Sequence, residues 1–365
     1  MVDTTYRDLA DRLVELGMTS DEEAAAARAA LEDQGPGPGA ELEEDDVLDF
    51  LDECGVVVWA PAGDVADLEE GYRDLLESAA DCTGGAVTVG DVELVEDEEG
   101  EESLHFLRNG EPVWWPVEHG PGEHLDLQTV MECIDDLEPG DARMFYALPG
   151  EEPDDDDAYI LATRAQAHYL HDRFGLDLEG LGRVKQPPVP APDAAHGTAD
   201  WYLQDDRARM TPPARAFLDG WTGEMTGALA DWRAGHLPDG FPFDFSPGSL
   251  DALEALVLDR HPDWDSVIAA GSDPFVEGAV RYLGETILRE VPSRWAYQDL
   301  GLSDSYDRIP MIRSNTPQGF TQTVVPLHRL AALAKEREPG MLAESSRFLQ
   351  DAVDSHHRAV AARRS

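Results

Sequence analysis

The sequence predicts an α+β protein in which an N-terminal mixed α/β domain with a hairpin-rich sheet is followed by a mainly α-helical domain. Three observations predict it. The apolar pattern changes from helical to strand spacing at Val56. Asn109-Gly110, a dipeptide suited to the positive φ of a tight turn, separates two apolar-rich segments. Beyond the proline-rich stretch Gln186 to Gly197, nearly every apolar pattern is helical.

The elements follow in order. Tyr6, Leu9, Leu13 and Leu16 recur at helical spacing, and Ser20 with Glu23 makes a capping box that opens a second helix through Ala30. The GPGPGA run from Gly35 to Ala40 ends it, and Val47, Leu48 and Leu51 begin a third helix that stops before Gly55. Residues 1–54 thus read as a helical N-terminal segment, and 55–185 as an acidic α/β domain. In that domain VVVWA at Val56 is a buried strand, Val65 to Ala79 a helix and Ala86 to Leu94 an alternating strand. Ser103 to Leu107 and Pro112 to Val117 form a hairpin about Asn109-Gly110. A helix over Leu127 to Leu137, strands at Met144 to Leu148 and Tyr159 to Ala162, and a helix from Ala165 to Phe174 complete it. The expected result is a mixed sheet with helices on one side. Residues 186–200 are a proline-rich linker and 201–365 a mainly helical domain. There Trp201, Trp221 and Trp232 lie in or near a helical segment, and Leu250 to Leu258, Asp273 to Val291 and Leu342 to Ala361 are helices. Pro326 sits just inside another helix, carrying Leu327, Leu330 and Leu333. Only Trp295 to Leu300 and Ile309 to Arg313 read as extended.

Charge narrows the function classes. The 365 residues include 76 acids and 27 bases, a formal charge of −49. Through Asp157 there are 47 acids and 6 bases, −41; from Ala158 onward 29 and 21, −8. Adaptation to brine would spread acids over all exposed surface, so their concentration in one part points to a cationic partner protein for that part. Phosphate backbones and anionic lipid are repelled by the same field, which argues against nucleic acid and membrane surfaces as partners. No apolar run approaches the roughly 18 residues of a membrane span. The start, MVDTTYRDLADRL, lacks the basic-then-apolar order of a secretory signal. Cys54, Cys82 and Cys133 show no CxxC spacing and suit a reducing interior. A cytoplasmic location is the expectation.

No P-loop, nucleophile elbow, HExxH, dinucleotide fingerprint or EF-hand loop occurs, so no cofactor and no catalytic residue is assigned. Trp114 and Trp115 are adjacent in a strand and face opposite ways; with the sheet covered on one side, one of them is left exposed beside Glu118 as a contact for a basic partner. The run Asp154, Asp155, Asp156 and Asp157 adds charge to the same surface. The alternative is a metal-dependent hydrolase, with Glu118, His119 and His124 after the hairpin and His168 and His171 one helical turn apart as ligands. Glu277, Arg281, Glu285 and Arg289 fall four apart and read as a surface salt-bridge ladder, with Gly284 permitting close packing against another element.

FVEGAVRYLGETILREVPSRWAYQD, Phe275 to Asp299, followed by VVPLHRLAALA, resembles proteins of high-GC actinobacteria to which no activity is attached. NGEPVWWPVEHGPGEHLD resembles a segment of other such bacterial proteins. The resemblance implies an actinobacterial rather than a haloarchaeal cytoplasm and transfers no functional residue. The function expected is a non-catalytic binding module whose acidic part holds a cationic protein, in the manner of an immunity or inhibitor protein.

Overall fold

The protein is described from a computed structural model over residues 5–34, 37–42, 46–120, 122–150, 155–183, 185, 192–299 and 306–364. The first residues of the GPGPGA run, Asp154 and residues 186–191 of the proline-rich stretch lie outside them. The chain is α+β, with small antiparallel sheets among many helices. It divides into two compact units, Met1–Pro188 and Val189–Ser365.

In the first unit, helices α1 (Tyr6–Leu16), α2 (Asp21–Gln34) and α3 (Val47–Glu53) precede strand β1 (Val57–Ala60). Thr5 and Asp8 make a reciprocal cap at the start of α1, and Gly17 closes it in the left-handed conformation. Then come α4 (Leu68–Asp81), β2 (Val89–Glu96), β3 (Glu102–Arg108), β4 (Glu111–Val117), α5 (Leu127–Cys133) with a 3-10 turn at 134–137, β5 (Arg143–Leu148), β6 (Asp157–Thr163) and α6 (Arg164–Phe174).

The expectation of one mixed sheet with helices on one side is corrected: the strands form two purely antiparallel sheets, β1-β6-β5 and β2-β3-β4. The first is covered on both faces. Val57, Met144, Tyr146, Ala158, Ile160 and Ala162 point into a core shared with Leu9, Leu13, Phe50, Leu51 and Leu170 from α1, α3 and α6. Their strand neighbours Val58, Phe145, Tyr159 and Leu161 point the other way, into a core with Tyr72, Leu75 and Leu76 of α4 and with Phe106 and Trp115 of the second sheet. Side chains that alternate along a strand therefore serve two cores, which makes these strands nearly continuous in apolar character. The hairpin turn has Asn109 at φ 53° and Gly110 at φ 84°, as the sequence implies. Asn109 Oδ1 accepts the Thr88 N–H at 2.8 Å, holding the turn to the start of β2.

The second unit contains α7 (Ala199–Arg209), α8 (Pro212–Gly223), α9 (Met225–His236), α10 (Pro247–Arg260), α11 (Trp264–Ala269) and α12 (Pro274–Glu290). A small sheet of β7 (Ser293–Ala296), β8 (Met311–Ser314) and β9 (Thr323–Val324) follows, then α13 (Pro326–Glu336) and α14 (Met341–Arg363). Helix α12 is the centre of this unit, buried at most of its positions. A Cβ at Gly278 would overlap the Trp232 indole and one at Gly284 the Trp295 indole, so both glycines are set by close packing. Two further ties close the core. Trp232 Nε1 donates to the Phe275 carbonyl at 3.0 Å. From α10, the buried Glu254 carboxylate accepts the N–H groups of Gly340 and Leu342, both at 2.8 Å, and so caps α14 from a neighbouring helix.

The surface ladder on α12 is corrected in one half. Glu277 pairs with Arg281 and Glu285 with Arg289, each at 3.0 Å. Arg281 is nonetheless only 4% exposed, its guanidinium 3.6 Å over the Trp221 ring and donating to the Trp221 carbonyl at 2.7 Å. A planar, weakly hydrated cation on an apolar stem can be buried against indole where a lysine ammonium would resist it. Spacing alone does not reveal that.

Candidate functional site

Helix α4 organises the acidic unit. Asp67 caps it, accepting the Glu70 N–H at 2.9 Å, and Tyr72, Leu75, Leu76, Ala79 and Ala80 form its buried face. Glu70, Asp74, Glu77 and Asp81 are exposed and recur at intervals of four, three and four, which aligns them on the opposite face over about 16 Å at 1.5 Å per residue. Like charges at these spacings are unfavourable by about 0.2–0.5 kcal/mol per pair, and Glu77 and Asp81 also oppose the helix dipole at its C-terminal end. Arg73, the helix's one base, gives no relief: it pairs with Glu69 at 2.6 Å and donates to the Val92 carbonyl at 3.2 Å. The stripe is held by the apolar face behind it.

Three other bases of the unit are also spent locally. Arg12 pairs with Glu15, Arg28 with Asp11 and Arg143 with Asp141. Each neutralises one carboxylate among 47 through Asp157, so the field of the remainder stands.

The residues singled out from sequence for partner contact separate into three groups. Glu118 and Asp155 are exposed, as a contact surface requires. Asp156 is exposed and Asp157 half-buried, but both fasten backbone: Asp156 Oδ1 accepts the Ala62 N–H at 2.8 Å and Asp157 Oδ1 the Gly150 N–H at 3.0 Å. Trp114 and Trp115 are corrected. Both are buried, at 5% and 0% exposure, so neither indole is an exposed contact. Trp115 packs edge-on to Phe106 and its Nε1 donates to Asp136 at 3.0 Å; Trp114 lies on the other face against His105, ring centroids 4.6 Å apart. The expectation failed because it rested on a sheet covered on one side only.

The five proposed metal ligands are not brought together. Among the described residues no group of three or more His, Cys, Asp or Glu side chains is placed to hold a metal ion. His119 lies between Glu102, whose Oε2 is 2.7 Å from Nδ1, and the Tyr72 hydroxyl, 2.9 Å from Nε2. His124 meets the Ala62 carbonyl at 3.1 Å and Asp64 at 3.2 Å. On α6, His168 faces Arg164 and His171 the Leu176 carbonyl. Glu118 uses its backbone, donating to Asp126 Oδ2 at 3.0 Å.

The His119 contacts belong to a relay that crosses the unit. The Asp126 N–H donates to the Tyr72 hydroxyl at 2.8 Å, and that hydroxyl meets His119 Nε2, whose Nδ1 faces Glu102. Asp126 then caps α5, accepting from Thr129 N–H at 3.0 Å and Thr129 Oγ1 at 2.7 Å. Burial alone raises the Asp126 pKa, but the hydrogen bonds from Glu118 and Thr129 outweigh it and hold the carboxyl below its ordinary range. Burial raises the Tyr72 pKa, so the phenol stays protonated at neutral pH. With His119 enclosed (6% side-chain exposure) and every site satisfied, the relay ties α4, β3 and the β4–α5 connection together. Burial pushes the Cys54, Cys82 and Cys133 thiols up to about 12, which keeps them protonated at neutral pH.

Sequence reasoning passed over the α4 stripe, although its signal was present in the helical spacing of four acids. The Tyr72–His119–Glu102 relay had no such signal, because its members are far apart in the chain. Comparison with protein-family models, with curated proteins and with solved structures finds no match.

Proposed function

We propose that the acidic unit is a non-catalytic binding module for a cationic partner protein, acting as an immunity or inhibitor protein acts on a basic target. The observation that carries the reading is the exposed row Glu70, Asp74, Glu77 and Asp81 on α4, set within a charge of −41 over the first 157 residues. A row of carboxylates that repel one another on a rigid helix is complementary to a row of Lys or Arg, and the surrounding field accelerates encounter with such a surface. Glu118 and Asp155 are exposed acids of the same unit, while Trp114 and Trp115 are buried in its sheet.

The test is capture of basic proteins from the native cytosol at low salt, followed by titration of the captured protein. We expect a stoichiometric complex whose affinity falls steeply between low and physiological salt. Combined Glu70→Gln, Asp74→Asn, Glu77→Gln and Asp81→Asn should weaken it by at least about tenfold, the equivalent of about 1.4 kcal/mol. An affinity indifferent to salt, or to those four substitutions, refutes the reading.

A further inference from the structure

The second unit contains a cleft of about 620 Å³ between α8, α12 and the connection that enters β8, a volume within the roughly 300–1,000 Å³ of small-molecule sites. Its lining combines an exposed aromatic, apolar walls and charge of both signs. Phe217 is 40% exposed, one of few large apolar side chains so placed, and is stacked on Tyr297 with ring centroids 4.1 Å apart. Ile309 and Leu327 supply aliphatic wall.

The charges decide the class of ligand. Arg281, at the cleft's inner side, is already matched: Nη2 donates to Glu277 Oε1 at 3.0 Å, Nη1 to the Trp221 carbonyl at 2.7 Å, and one face is on the Trp221 ring. Arg308 is matched as well, by Asp299 at 3.2 Å and Asp307 at 3.6 Å. Both guanidiniums are thereby cancelled. Glu224, exposed at the junction of α8 and α9, makes no ion pair among the described residues, and Glu277 keeps one carboxylate oxygen outside its bond to Arg281. The two glutamates and two arginines of the lining sum to zero, but with Arg281 held by Glu277 and Arg308 by Asp299 and Asp307 from outside the cleft, Glu224 is the one lining charge left unmatched among the described residues, in the same cleft as the exposed Phe217 ring.

We propose that this cleft binds a small organic cation with an apolar body, an aryl- or alkylamine, its ammonium on Glu224 and its apolar part on Phe217, Ile309 and Leu327. Arg281 over Trp221 already displays the same pairing of cation and aromatic within the cleft's own wall. The site is independent of the acidic stripe and uses no residue of it.

The experiment is calorimetric titration of the full chain with phenethylamine, with its near-isosteric acid phenylacetate and with the neutral phenethyl alcohol. Saturable binding of the amine, and at least about fivefold weaker binding of the other two, is expected from an ammonium–carboxylate pair shielded by an aromatic ring. Glu224→Gln and Phe217→Ala, both at exposed positions, should each weaken the amine while leaving the unfolding midpoint within a few degrees of the parent. Binding of the acid or the alcohol as tightly as the amine overturns the proposal. So does amine binding unaltered by Glu224→Gln, or the lack of saturable amine binding at millimolar concentration.

Discussion

Buried tyrosines show how the worth of one hydroxyl depends on its surroundings. The Tyr72 hydroxyl accepts from the Asp126 N–H and meets His119 Nε2, whereas the hydroxyls of Tyr146 and Tyr159 are buried with no hydrogen-bond partner among the described residues. Removing the first strands a backbone donor and an imidazole nitrogen; removing either of the others removes an unsatisfied polar group from a core. Tyr72→Phe is therefore expected to cost about 1–3 kcal/mol in urea unfolding, and Tyr146→Phe and Tyr159→Phe to be neutral or stabilising. Equal losses at all three would show that ring packing, not the hydroxyl, controls these positions. None of this was legible in the sequence. Tyr72 reads as one more core residue of a helix, and its two partners lie 47 and 54 positions away.

Local geometry made most elements readable, and long-range pairing made the exceptions. Asn109-Gly110 announces its hairpin because two residues decide the turn, and Pro326 announces the start of α13 because it occupies the first helical turn. That β1, β5 and β6 form a sheet closed on both faces depends on cores assembled from α1 to α6, which no single segment encodes. The same limit hid the attachment of α7 to β7. Asp206 and Arg294 are 8% and 9% exposed and pair at 2.7 Å, with Arg294 also donating to the Ser314 carbonyl at 2.5 Å and to Asn315 Oδ1 at 3.2 Å. A buried pair is costly to break and cheap to replace, since loss of one partner leaves the other charge stranded. Asp206→Leu is expected to lower stability by about 3–5 kcal/mol, and Arg294→Met added to it to restore a large part, as read from denaturant midpoints. A double variant no better than the single would mean that the cost lies in what the second change does not relieve, Arg313 left 3.6 Å from the lost Asp206 Oδ1, or in the Ser314 and Asn315 contacts that Arg294 gives up.

Across the whole molecule, charge sets function against stability. A chain of −49, with −41 in its first 157 residues, repels itself in the folded state. Salt shortens the reach of that repulsion, from about 30 Å at 0.01 M to about 8 Å at 0.15 M. The distribution was fully legible in the sequence; its concentration into a row on α4 required the helix to be placed and its apolar face assigned. Neutralising Glu70, Asp74, Glu77 and Asp81 relieves three like-charge contacts between successive acids, and should raise the low-salt stability by about 1 kcal/mol. That gain should shrink as salt is added, because the repulsion removed is already screened. The same four substitutions weaken the partner under the binding reading. Paired measurements on the one variant, an unfolding midpoint at two salt concentrations and an affinity, therefore separate the two roles an acidic surface can serve. A surface kept for solubility loses no affinity when neutralised, whereas one kept for recognition gains stability and loses its partner together, which is the outcome expected here.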